Sequence, residues 1–244
     1  RLYWKRSAPP TIDLDASQRH ITVMRKSILL TGLSIGLLIA ATATATTRTV
    51  PIASDLTANG WKVLAFDGIP QTQFTGTTEG VLEVRADRSS SVLYRAIDDG
   101  PKMPSELSWS WQVIDALPST DLNKTDGDDR VLALHIGFAD DSFMSRLKGT
   151  MSPFARGRVL TYVWGGARET SFAHPHLPDN GFMIIRRTAS TPSDTWFQET
   201  VDLAADYQRA FGEAPPSVAF VGVSGDADDI AAMSFGKIKD IEFK

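Results

Sequence analysis

Two acidic runs are the residues best suited to chemistry: Asp126-Gly127-Asp128-Asp129 and Asp226-Ala227-Asp228-Asp229. Carboxylate oxygens are hard donors, so Asp126, Asp128, Asp129, Asp226, Asp228 and Asp229 are candidate ligands for a structural Ca²⁺ ion. Neither run follows the EF-hand pattern. After Asp121, Asn123 and Thr125 the glycine comes one residue late, at Gly127, and the twelfth position is Leu132 instead of glutamate. The same Asp and Gly residues also suit solvated turns between strands. If the two runs bind one ion, the fold has to bring them together.

Histidine offers less. His174-Pro175-His176 is a close pair, but the proline makes it a loop element, and a transition metal needs further ligands. His135 lies inside an apolar run, where a hydrogen-bonded core imidazole is the expectation. Two aromatic pairs, Trp109 with Trp111 and Tyr162 with Trp164, each share one strand face. On an open concave sheet they would stack on sugar rings. With Leu107 and Val113 for company, the first pair equally suits a packed core. Glu169 and Glu199 are the carboxylates considered for glycosidic hydrolysis. The string Gly222-Val223-Ser224-Gly225 is one residue short of a nucleophile elbow, and no glycine-rich phosphate loop joins a strand to a helix.

The elements that position these groups read as strands. Ten short runs rich in β-branched and aromatic residues are bounded by turn residues: 61–66, 81–86, 92–97, 107–114, 131–138, 159–164, 182–187, 195–201, 218–223 and 233–243, the last broken at Gly236. This pattern predicts an all-β sandwich and excludes a doubly wound α/β fold. Val131 to Leu134 is apolar on both faces, which places that strand in the centre of a sheet. Leu203, Tyr207 and Phe211 recur at helical spacing between Asp202, an N-cap residue, and Gly212, and Pro215-Pro216 prevents continuation. Three loops are long: 115–130, 139–157 and 165–181.

Charge divides the chain. Residues 1–45 carry six Lys/Arg against two acids, a net of +4, while the remainder holds 19 bases and 27 acids, a net of −8. Met24-Arg25-Lys26, the apolar stretch Ile28 to Ala41 and the Ala-x-Ala run ending at Ala45 predict a signal peptide over 24–45. The stretch is shorter than the ~20 apolar residues of a membrane span, so no transmembrane anchor is expected after cleavage. Residues 1–23 read as a mis-set upstream extension, and 50–244 as a single domain. With no cysteine, an exported domain relies on its core instead of disulfides. A net of −8 gives no electrostatic footprint for nucleic acid.

An ordered series of motifs adds to this reading. Trp109-Ser110-Trp111, Gly127-Asp128-Asp129, Tyr162-Val163-Trp164-Gly165, Trp196-Phe197-Gln198-Glu199, Asp206-Tyr207 and Phe211 to Pro216 precede Gly225-Asp226-Ala227-Asp228-Asp229 and Ser234 to Ile238. Over about residues 60–243 the chain resembles the exported bacterial domain-of-unknown-function family numbered 3047. Ile230 departs from it, standing where a small hydroxylated residue is expected. The resemblance implies a jelly-roll-like β-sandwich of about ten strands with one short helix, and brings no assigned activity.

Residues and resemblance together predict a non-catalytic module that binds a glycan or similar polar ligand of the periplasm or cell envelope, using Trp109, Trp111, Tyr162 and Trp164. The alternatives are a polysaccharide-active hydrolase or lyase on the same sandwich, and an assembly partner that docks through Phe143, Met144, Leu147, Met151 and Phe154.

Overall fold

The alternation seen in the sequence becomes two stacked sheets. The computed structural model describes residues 47–97, 105–139 and 157–244. The predicted signal peptide over 24–45 and the residues from Phe143 to Phe154, expected as a docking surface, lie outside the described residues. Thirteen strands appear among those described: β1 (Arg48–Thr49), β2 (Trp61–Ala65), β3 (Gln73–Gly76), β4 (Leu82–Asp87), β5 (Ser90–Ala96), β6 (Glu106–Asp115), β7 (Arg130–Ala139), β8 (Arg158–Trp164), β9 (Ser171–His174), β10 (Leu177–Arg187), β11 (Phe197–Asp202), β12 (Ser217–Asp226) and β13 (Met233–Phe243). One sheet has six strands in the order β11-β6-β13-β4-β3, with β1 added beside β13. The other has seven, in the order β2-β5-β12-β7-β8-β10-β9. All neighbours are antiparallel except β8 and β10.

The all-β sandwich expectation therefore holds, and the differences have physical causes. β1, β3 and β9 are two to four residues long, too short to show a periodicity. The loop read over 165–181 contains a hairpin: β9 turns at Pro175-His176 into a β10 that begins at Leu177, with His174 opposite Leu177. β13 is not broken at Gly236 but absorbs register shifts there and beyond Lys239.

β6 buries Leu107, Trp109, Trp111 and Val113 against the opposite sheet, while Ser110 and Gln112 on the other face stay partly exposed. β7 lies between β12 and β8 and is buried on both faces, as its unbroken apolar run requires. Leu132, Leu134, Ile136 and Phe138 enter the inter-sheet core, so Ala133, His135 and Gly137 point the other way. Gly137 is needed there: a Cβ would come within 1.8 Å of the Phe220 ring.

The helix α1 (Leu203–Phe211) forms as its caps direct. Asp202 accepts the Ala205 N–H at 2.9 Å, and Gly212, at φ 77°, ends the helix. Leu203 and Tyr207 are buried, with Tyr207 edge-on to Phe138 of the seven-stranded sheet at 4.6 Å.

Candidate functional site

The register between β12 and β7 builds the site. Asp226, the last residue of β12, pairs with Arg130, the first of β7. This brings the two acidic runs, about a hundred residues apart in sequence, to one end of the seven-stranded sheet. Arg130 is buried and joins them: its Nη1 donates to Asp128 Oδ2 at 2.8 Å and to the Asp128 carbonyl at 2.6 Å, and it lies 3.1 Å from Asp226 Oδ2. Asp129 staples the loop after β12, accepting the Ile230 N–H at 2.8 Å and the Asp229 N–H at 3.3 Å. The Ile230 departure from the family pattern thus contributes through its backbone, where side-chain type does not matter.

The acidic group is smaller than the sequence suggests. Asp129, Asp226 and Asp228 each offer a carboxylate oxygen, and all three lie within 4.8 Å of one another. Asp126 is exposed and outside this group, Asp128 is committed to Arg130 and His176, and Asp229 is exposed. Desolvation pushes the Asp226 carboxyl up to about 8 against the pull of Arg130, with Asp228 and Asp128 adding to the rise. Burial also raises Asp129 above the usual carboxylate range, opposed by its two backbone donors.

Beside this cluster a cavity of about 580 Å³ opens on the outer face of the seven-stranded sheet. Leu64, Phe66, Ile69 and Leu177 are among its apolar lining residues. Asp128, Arg130, Asp226, His135, His174 and His176 are among its polar ones. His135 is the hydrogen-bonded imidazole its setting predicts, with Nδ1 3.1 Å from Thr161 Oγ1 and Nε2 2.9 Å from Ser224 Oγ. Burial and the nearby Arg130 hold it well below its ordinary range. His174, at the hairpin tip, is held down to about 3, first by desolvation and then by Arg130, so it is neutral at physiological pH. Its Nδ1 accepts the His176 N–H at 3.2 Å, which leaves Nε2 as the protonated nitrogen. His176 is half exposed and reaches Asp128 Oδ1 with its Nε2 at 3.2 Å.

The four aromatics proposed for ligand stacking are a correction. Trp109, Trp111, Tyr162 and Trp164 are each at most 1% exposed. They interlock across the two sheets: Trp109 meets Tyr162 at 5.1 Å, Trp111 meets Trp164 at 5.6 Å, and the two β6 tryptophans meet edge-on at 5.3 Å. Their face is the inter-sheet face, so they have no surface for a sugar. Tyr162 donates to Asp206 Oδ2 at 2.8 Å.

The carboxylates of the hydrolase alternative fare similarly. Glu169 is exposed and lines no part of the cavity. Glu199 is buried and saturated, accepting from Trp111 Nε1 at 3.1 Å, Arg186 at 3.1 Å and Arg187 at 2.6 Å. Arg130 and the approach of His174 and His176 to the acidic cluster were missed. The signal for Arg130 was present: a lone base between two acids and an apolar run.

Among the described residues no helix is long and apolar enough to cross a membrane. The family model described as "Protein of unknown function (DUF3047)" matches residues 59–242. No curated protein matches the chain. Among solved structures it is similar to the xyloglucanase domain of NopAA, a type three effector from Sinorhizobium fredii, at 11% identity and a TM-score of 0.43, covering 75% of this chain and 92% of that one. It is also similar to the family 11 carbohydrate-binding module of a Clostridium thermocellum cellulosomal cellulase, at 9% identity and a TM-score of 0.42, covering 82% and 95%. A mutant family 29 carbohydrate binding module follows at 10% identity and 0.37, covering 81% and 90%.

Proposed function

The chain belongs to the DUF3047 family of proteins of unknown function, and for this member we propose an exported, non-catalytic module that binds a hydroxyl-rich, glycan-type ligand in the cavity on its seven-stranded sheet. The observation that supports this is the cavity's mixed lining. Leu64, Phe66, Ile69 and Leu177 line it together with Asp128, Asp226, His174 and His176. A sugar ring offers the matching mixture, with hydroxyls at its edge and C–H groups on its faces. Few convergent polar groups against an apolar wall are the usual makeup of a small-ligand site. Binding is favoured over turnover because Asp128 is held at both oxygens, by Arg130 and by His176. The signal-peptide pattern over 24–45 and the lack of cysteine support export to the periplasm or cell envelope.

The test is a titration of the full chain with a panel of neutral oligosaccharides. His176→Ala and Phe66→Ala, one polar and one apolar lining residue, are expected to weaken binding about tenfold or more. Affinity unchanged in both variants overturns the reading. One observation favours a second reading, polysaccharide cleavage: Asp128 and Asp226 both line the cavity. Release of new reducing ends by the wild-type chain, lost in Asp128→Asn, would establish that reading in place of the first.

A further inference from the structure

We propose that Asp129, Asp226 and Asp228 together hold one divalent cation of the Ca²⁺ type beside the cavity, tying the loop before β7 to the loop after β12.

The first observation is geometric. One carboxylate oxygen from each residue lies within 4.8 Å of the others. Two oxygens on one ion lie no farther apart than twice the metal–oxygen distance, which is roughly 4.6–5.2 Å for Ca²⁺ and about 4.2 Å for Mg²⁺. The second is independent of that spacing. Asp226 is 93% buried (7% exposed), and although its Oδ2 meets Arg130, its Oδ1 is buried with no hydrogen-bond partner. A buried carboxylate oxygen left without a donor is costly, and a cation is the partner that also answers its charge. Around it stand Asp128, Asp129, Asp228 and Asp229, while Arg130 is the buried base of the cluster. Five aspartates gather around one guanidinium.

The donor set selects the class of ion. All three groups are carboxylates, hard oxygen donors, with no thiolate and no imidazole among them, which points away from zinc and copper. Asp129 can serve although it accepts two N–H groups, because each carboxylate oxygen takes one donor and retains a lone pair. Three protein oxygens leave the rest of a six- to eight-oxygen shell to water and main-chain oxygens. Six candidate aspartates thus reduce to three. The inference stands apart from what the cavity holds.

The experiment titrates CaCl₂ into the chelator-treated full chain by calorimetry and follows its melting temperature. One Ca²⁺ per chain is expected, with the Tm rising about 5–10 °C at a hundredfold excess over Kd. Asp226→Asn and the less buried Asp228→Asn are both expected to lower affinity about tenfold or more, whereas Asp126→Asn leaves it unchanged. Because Asp228 is only half-buried, its variant tests the site even if Asp226→Asn fails to fold. No heat of binding with an unmoved Tm overturns the proposal. So does equal weakening by Asp126→Asn, or MgCl₂ binding as tightly as CaCl₂.

Discussion

Two arginine–carboxylate networks occupy this sandwich, and they differ in how completely their carboxylates are satisfied. At the edge of the inter-sheet core, Glu199 receives Trp111, Arg186 and Arg187, so one carboxylate meets three donors. On the outer face of the seven-stranded sheet, Arg130 meets Asp128 and Asp226, with Asp129, Asp228 and Asp229 close by and both Arg130 Nε and Asp226 Oδ1 left without partners. In the first network the carboxylate is satisfied at both oxygens, although Arg186 Nε is left without a partner. The second has an unused carboxylate oxygen, carboxyls displaced upward, and a cavity against it. A polar group spent on its neighbours locks a fold, whereas unspent groups in a cleft mark a place where something else binds.

That contrast can be broken by mutation. The largest effect is expected from the aromatic interlock: Trp111→Ala removes a fully buried side chain and the donor to Glu199, and costs about 3–5 kcal/mol in denaturant unfolding. Glu199→Gln, keeping shape and losing charge, costs about 2–4 kcal/mol because Arg186 and Arg187 lose their shared carboxylate. Both variants that remain folded keep the wild-type ligand affinity, since neither residue lines the cavity. A Glu199→Gln chain as stable as wild type would remove the distinction between the networks.

The cavity network responds to pH instead. His174 binds a proton only near pH 3 in the folded chain, against about 6.5 when unfolded. Between these values the unfolded state holds more protons at this site, so the stability His174 contributes rises with pH, is whole above about 6.5 and is lost progressively as pH falls toward 3. Asp226, pushed up to about 8, acts in the opposite direction between about 3.9 and 8. The loss from His174 is at most a few kcal/mol, and His174→Asn flattens that limb of a stability-against-pH curve. An unchanged slope in the variant would show that the imidazole is not buried neutral. Smallest of all, Asp126→Asn and Glu169→Gln, both exposed, stay within about 0.5 kcal/mol of wild type by the same unfolding measurement.

What the sequence shows of this fold follows from periodicity. The alternation of β6, the two-sided apolarity of β7 and the caps of α1 are local signals, and each element forms where they place it. The short strands β1, β3 and β9 carry too few residues to alternate, and their pairing is set by neighbours. The site was half legible. Asp129, Asp226 and Asp228 stand out by type, but that they meet depends on Asp226 pairing with Arg130, a register no local pattern encodes. The aromatic pairs show the converse. Spacing two apart fixes a shared face, yet which face becomes the core depends on the opposing sheet, and Trp109, Trp111, Tyr162 and Trp164 all turned inward.

In the proposed mode of binding, ligand enters at the histidine and aspartate cavity and not at the interlocked tryptophans. This mode is tested most directly by recording the histidine side-chain ¹H–¹⁵N spectrum of the full chain during titration with neutral oligosaccharides. The His174 and His176 ring resonances are expected to move with the bound fraction while the indole N–H signals of Trp109, Trp111 and Trp164 stay fixed. Saturable binding that shifts the exposed Trp196 indole and leaves both histidines unmoved contradicts it.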